Sequence, residues 1–305
     1  MITRYTYGEI TWIDVDKPSR EEIHILGEEF SLHPILRDDL LTASLRQKVD
    51  SYENCIYLIL HFPVPHHERA HAIHEVDFIV GKNFLITTRY DALDPLHYFA
   101  KAFEVNAILE KNPPNEHAGF ILFFMLRKLY ESTSIALSLI GERIGHAEEK
   151  IFAGHEYHMV KELSLIQRDV LLYHRALRNH RSMLNSFANE SVAFFGEDYR
   201  HWAHELTTEY LKVEEKLEDR KEMVVALRGT NDSLLAGKTS TAMRSLTTLS
   251  LPVFLATLTA GVFSMRPEFM PLVDHRFGFW LVLSIILTVG LMTGIALRYY
   301  RKHND

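Results

Sequence analysis

The sequence predicts an α+β domain, a mixed sheet flanked by helices, followed by long stalk helices and closed by a C-terminal two-helix transmembrane hairpin. Three observations carry that reading. Strand-like segments come early and mostly in succession, within residues 1–112. From Asn115 to Leu251 there is no proline, glycine is sparse and helix formers dominate. Two uncharged runs then occupy the last quarter: nothing charged lies between Arg244 and Arg266, or from Phe277 to Leu297.

Taken in order, Ile10–Val15 reads as a strand. Pro18-Ser19 followed by Glu21 and Glu22 opens a helix, with Ser19 as cap and Glu22 placed to complete a capping box. That helix runs to about Phe30 and sets Ile23, Ile25, Leu26 and Phe30 mostly on one face; a shorter one follows Pro34. Lys48–Pro65 contains the apolar strand Ile56–Phe62, and Ile73–Tyr90 reads as two strands around the turn Gly81-Lys82-Asn83. No glycine-rich phosphate loop follows any strand and no catalytic set is visible, so the chain does not read as an enzyme.

The proline-free stretch predicts three long helices, about 116–153, 157–191 and 197–263, broken at Ala153-Gly154-His155 and Asn189-Glu190-Ser191. The third carries Glu205, Glu209, Glu214, Glu215, Glu218, Asp219 and Glu222, interleaved with Lys212, Lys216, Arg220 and Lys221. This is either a solvated helix face or an acidic wall feeding a pathway. Pro252 predicts a kink. Ser245–Ser264 supplies about 30 Å of helix at roughly 1.5 Å per residue, enough to cross hydrocarbon. The second span has Trp280 near one interface, Tyr299 and Tyr300 near the other, and Arg298, Arg301 and Lys302 closing it.

The expected organisation is therefore a cytoplasmic α/β domain at 1–112 and a long-helix stalk at 113–244. A first span follows at 245–264, an outer loop at 265–276, a second span at 277–300 and a tail at 301–305. Met1–Lys17 has neither the basic start nor the apolar core of a signal peptide, and Lys238, Arg244, Arg298, Arg301 and Lys302 flank the spans. Both termini are expected on the cytoplasmic side of a multi-pass protein in the cell's inner membrane.

The two spans differ in kind. Ser240, Met243, Thr247, Ser250, Phe254, Thr257 and Gly261 are spaced alternately by three and four, which confines them to an arc of about 100°. Two readings fit such a small and polar seam. One is close helix–helix packing; the other is a pore lined by one such helix per subunit. A single hairpin encloses nothing, so the pore reading demands an oligomer.

A formal charge of −7 and the lack of any basic run exclude nucleic acid as an expected partner. One cysteine, Cys55, excludes an internal disulfide and any multi-cysteine metal site. Among the 18 histidines, His66, His67, His71 and His74 cluster between strands, His155 and His158 flank a helix break, and His201 and His204 are three apart beside Glu205. Imidazoles at that last spacing can share a metal, so His201, His204 and Glu205 form the candidate metal set, against the plainer reading of surface histidines.

Gln47-Lys48-Val49 with Tyr52, the strand Tyr57–Pro63, and Val80–Thr87 resemble the CorA family of divalent-metal transporters. So do Lys238–Thr247 and Ala260–Met265 followed by Glu268–Pro271, and the likeness runs through nearly the whole chain in the same order. It implies a homopentameric funnel carrying a divalent metal ion as cargo, Zn²⁺ or Mg²⁺ with Co²⁺ and Ni²⁺ as further candidates, and no covalently bound cofactor. The family's pore-facing positions fall on Ser240, Met243, Leu246, Ser250, Phe254 and Thr257. Metal held between subunits, as in the family, would place His201 and His204 at such a contact. One departure stands out: the family's Gly-Met-Asn signature, Gly-x-Asn in its zinc-transporting ZntB-like branch, reads Ser264-Met265-Arg266 here. Arg266 either pairs with Glu268 or Asp274 of the outer mouth, or alters flux, or marks a non-conducting sensor of the same fold.

Overall fold

The computed structural model describes residues 1–7, 9–44, 46–64, 72–90, 117–264 and 277–304. Six strands form one sheet: β1 (Ile2–Tyr7), β2 (Ile10–Asp16), β3 (Lys48–Ser51), β4 (Ile56–Val64), β5 (Ala72–Val80) and β6 (Phe84–Arg89). Two helices, α1 (Arg20–Glu29) and α2 (Pro34–Asp39), lie between β2 and β3 in sequence. The strand order is β1-β2-β6-β5-β4-β3. β2 runs parallel to β6 and every other neighbouring pair is antiparallel, so the sheet is mixed, as expected. The two edge strands, β1 and β3, are additional to those expected from the sequence.

Strand alternation divides the core into two layers. Ile13, Val15, Tyr57, Ile59, Ile79 and Ile86 pack with Ile23, Leu26 and Leu36 of α1 and α2. Trp12, Leu58, Leu60, Phe62, Phe78 and Leu85 face the other way, into a core shared with the long helices. The cap of α1 forms as its sequence dictates. Glu22 N–H donates to Ser19 Oγ at 3.2 Å, and Ser19 N–H to Glu22 Oε2 at 3.0 Å.

The long helices are α3 (Gly119–Phe152), α4 (Glu156–Leu177), α5 (His180–Phe195), α6 (Arg200–Ser264) and α7 (Gly278–Asn304), with a 3₁₀ turn at Glu197–Tyr199. The expected helix 157–191 is thus two helices. Arg178 and Asn179 separate them, and the second opens on the buried His180, whose Nδ1 accepts from Tyr130 at 2.9 Å while Nε2 donates to the His61 carbonyl at 2.9 Å. Neither glycine nor proline marks that break. The next break also differs from expectation. Asn189-Glu190-Ser191 lie inside α5, and the chain turns instead at Gly196, whose φ of 102° suits glycine alone. The break at Gly154, φ 93°, falls where expected. Pro252 lies inside α6, which continues past it.

By their contacts Met1–Gly229 form one compact unit and Thr230–Asp305 a second. The boundary expected at residue 112 lies outside the described residues.

Candidate functional site

α7 and the C-terminal part of α6 are both long and apolar enough to cross a membrane, and their most apolar windows are 0% buried. Such helices are unstable in water unless lipid or other helices cover them. Where the chain itself covers α6 is therefore informative. Pro252, Leu255, Ala256 and Thr259 are half-buried and recur at helical spacing. Ser240, Met243, Leu246, Thr247, Ser250, Phe254, Thr257, Gly261 and Ser264 are all exposed. At about 100° per residue the two sets point nearly opposite ways. The half-buried face was not legible as such from sequence, because Leu255 and Ala256 differ little from their exposed apolar neighbours.

The seam alternates apolar and hydroxyl-bearing side chains. Met243 is 63% exposed and Leu246 and Phe254 each 62%, as are other large apolar groups of the two spans, so these surfaces need lipid or further helices to cover them. The hydroxyls lie in helical register with their own backbone: Thr247 donates to the Met243 carbonyl at 3.0 Å, Ser250 to Leu246 at 2.6 Å and Thr257 to Val253 at 2.8 Å. Each proton being so engaged, the hydroxyl oxygen presents lone pairs, which accept from the water shell of a cation. Gly261 has open space where a side chain would stand, so nothing among the described residues requires a glycine there.

Ser264 ends α6 and is exposed. Met265, Arg266, Glu268 and Asp274 lie outside the described residues, so the pairing expected of Arg266 stays an expectation.

The histidine set is not assembled within one chain. His201 and His204 are exposed and Glu205 half-buried in the first turns of α6. Among the described residues, no group of three or more His, Cys, Asp or Glu side chains is placed to hold a metal ion. His66, His67 and His71 lie outside the described residues. Part of the acid-rich face of α6 is engaged by neighbours on the same helix. Lys212 pairs with Glu209 at 2.8 Å, Lys221 with Glu218 at 2.7 Å, and Tyr210 donates to Glu214 at 3.2 Å. That favours a solvated face over a strongly charged wall.

Comparison with known proteins gives a consistent result. The family model described as CorA-like Mg²⁺ transporter protein matches residues 7–300. The cobalt/magnesium transport protein CorA of Thermotoga maritima is 23% identical over 307 residues, covering 96% of this chain and 82% of that protein. The complete structure of the CorA magnesium transporter from Methanocaldococcus jannaschii matches with a TM-score of 0.82 at 17% identity, over 99% of this chain and 93% of that one. Full-length CmaX matches with a TM-score of 0.74 at 18% identity, over 96% of this chain and 88% of that one.

Proposed function

The chain belongs to the CorA-like Mg²⁺ transporter family, and on that footing we propose that it conducts divalent metal cations through a pore lined by α6 from five copies. The cargo is Mg²⁺ or Zn²⁺, with Co²⁺ and Ni²⁺ as further candidates. In this reading α6 and α7 cross the inner membrane at 245–264 and 277–300, joined by the outer loop 265–276. The domain at 1–112 and the stalk at 113–244 stand with both termini on the cytoplasmic side. The observation that carries the proposal is the opposition of faces on α6: the side turned from the chain's own cover bears the hydroxyls of Ser250 and Thr257.

The chemistry follows from that face. A divalent cation holds its water shell tightly, so a pathway that strips no water needs oxygen acceptors at water-bridging distance rather than charged ligands. Thr247, Ser250 and Thr257 supply them. Met243, Leu246 and Phe254 form apolar constrictions between the hydroxyl rings, which close by dewetting. Ser264 and Gly261 stand at the outer end, with Arg266 just beyond. Metal bridging His201, His204 or Glu205 between neighbouring copies would favour one spacing of the stalks.

A second reading is favoured by one residue. Five arginines at position 266 repel a cation, which suits a non-conducting, membrane-anchored metal sensor of the same fold. Uptake of Mg²⁺, Zn²⁺, Co²⁺ and Ni²⁺ into proteoliposomes, for wild type and Arg266→Asn, separates the two. Metal-dependent uptake by the wild type supports transport. Binding without uptake, restored to uptake by Arg266→Asn, supports the sensor.

A further inference from the structure

A buried acid pair lies in the α/β domain. Asp77 is 0% exposed, Glu75 is 7% exposed, and the two lie on one face of β5. Asp77 Oδ2 accepts from Tyr57 at 3.1 Å and Tyr90 at 3.0 Å. Asp77 Oδ1 is buried with no donor among the described residues, and the hydroxyl of Thr88, directly opposite Asp77 in register, likewise lacks a partner.

Glu75 is occupied on both oxygens. Oε1 accepts from Ser44 N–H at 2.6 Å and Oε2 from His61 Nε2 at 2.9 Å; the same Nε2 lies 3.2 Å from the Ser44 carbonyl, so it carries the ring proton. Tyr90 also reaches the Leu40 carbonyl at 3.3 Å. The acid pair thus faces the segment after α2, which closes over this end of the sheet.

The other charged groups around the pair do not neutralise it. On β3, Lys48 lies 2.6 Å from Asp39 and 2.8 Å from Asp50, with its ammonium 4.8 Å from the Tyr57 ring centroid. Asp39, from α2, adds further negative charge felt at Tyr57 and Tyr90. Arg89, at the end of β6, pairs with Asp14 at 3.0 Å. Two adjacent ionised carboxylates in this enclosure would repel, with one oxygen facing no donor. A carboxylic acid donating to a carboxylate removes both costs.

We propose that Asp77 and Glu75 hold one proton between them in the folded protein at neutral pH, and that this proton keeps the Leu40–Ser44 segment fastened to the sheet. Asp77 is the protonated partner, because Glu75 already accepts from Ser44 and His61. Burial and the neighbouring Glu75 hold Asp77 well above the usual carboxylate range. Tyr57 and Tyr90 are pushed up by burial and remain hydroxyl donors.

The sign of the pH dependence follows. Between the ordinary carboxylate range and the raised value, the folded chain binds a proton that the unfolded chain lacks. Stability therefore falls as pH rises through that window, by up to about tenfold in the folding equilibrium constant per pH unit. Asparagine mimics the neutral acid, since its amide donates to Glu75 and its carbonyl accepts from the tyrosines.

The test is urea unfolding of the full chain in detergent, across neutral to alkaline pH, for wild type and Asp77→Asn. The expected result is a variant that folds and lacks the wild type's one-proton decline, so the two profiles diverge by up to tenfold per pH unit. Parallel profiles overturn the proposal. Infrared spectra of the wild type, with carbon-13 aspartate, keep it falsifiable should the variant fail to fold. A protonated-carboxyl stretch at neutral pH, lost on alkalinisation, is expected; a spectrum of carboxylates alone at neutral pH overturns it.

Discussion

Ser250 donates its hydroxyl proton to the carbonyl of Leu246, one turn back on α6, at 2.6 Å. Thr257 does the same to Val253 at 2.8 Å. In the proposed pore a side chain bonded in this way would offer an oxygen rather than a proton, which suits a hydrated cation and disfavours an anion.

Removing that oxygen while keeping the shape tests the point. Thr257→Val preserves the branched side chain and deletes the acceptor, whereas Thr257→Ser retains it. In proteoliposomes carrying a metal-sensitive dye, the valine variant is expected to conduct at least about tenfold more slowly, a barrier rise of about 1.4 kcal/mol. The serine variant should stay within about threefold of wild type, below 1 kcal/mol of barrier.

Phe254 carries the opposite expectation. Its ring is 62% exposed within one chain, and in the proposed pore five such rings would form a dry neck. Phe254→Ala widens and wets that neck, so leak through the resting protein should rise several-fold, read as uptake without a gating stimulus. An alanine variant that leaks no more than wild type places the closure elsewhere.

Within the Met1–Gly229 unit, His180 at the start of α5 sets an acid limit on stability. Burial pushes its ring down to about 3. The unfolded chain therefore binds a proton that the folded chain lacks below about pH 6.5, and stability falls with pH by up to about 1.4 kcal/mol per unit down to the folded value. Urea unfolding of Asp77→Asn at stepped acidic pH reads this slope, because the variant lacks the carboxyl proton whose opposite pH dependence would offset it in the wild type. Tyr130→Phe leaves the buried Nδ1 without its donor and should cost about 1–3 kcal/mol at neutral pH.

Gly196, with φ 102°, links α5 to the turn before α6. Gly196→Ala forces a β-carbon into left-handed backbone and should destabilise the Met1–Gly229 unit by about 1 kcal/mol or more, seen as a lower thermal midpoint.

Much of this molecule is legible in its residues, for identifiable reasons. The capping box at Ser19 and Glu22, the strands at Ile56–Phe62 and around Gly81-Lys82-Asn83, and the two uncharged runs are local signals that tertiary context does not override. The break at Arg178–Asn179 is not local. It follows from burying His180 between Tyr130 and the His61 backbone, partners 50 and 119 residues away. The helix end at Gly196 was hidden because a polar stretch, Asn189–Ser191, looks like a turn yet continues the helix. The seam on α6 was legible because small, hydroxyl and large apolar side chains alternate at one helical angle. The face that α6 turns inward was not, since its residues are chemically ordinary. The pair Asp77 and Glu75 reads in sequence as an unremarkable polar alternation; only the strand register puts both under the Leu40–Ser44 segment.

The chain's single cysteine makes the proposed pathway directly testable. Cys55 is 0% exposed and burial pushes its thiol up to about 11, so it resists modification in the folded protein. Divalent-metal uptake by proteoliposomes is measured for Thr257→Cys and Thr259→Cys, before and after a membrane-impermeant, positively charged thiol reagent. A pore lined by the seam requires that the reagent block uptake through Thr257→Cys and leave Thr259→Cys conducting. Block at Thr259→Cys with none at Thr257→Cys would contradict it, as would a wild type that binds metal and passes none.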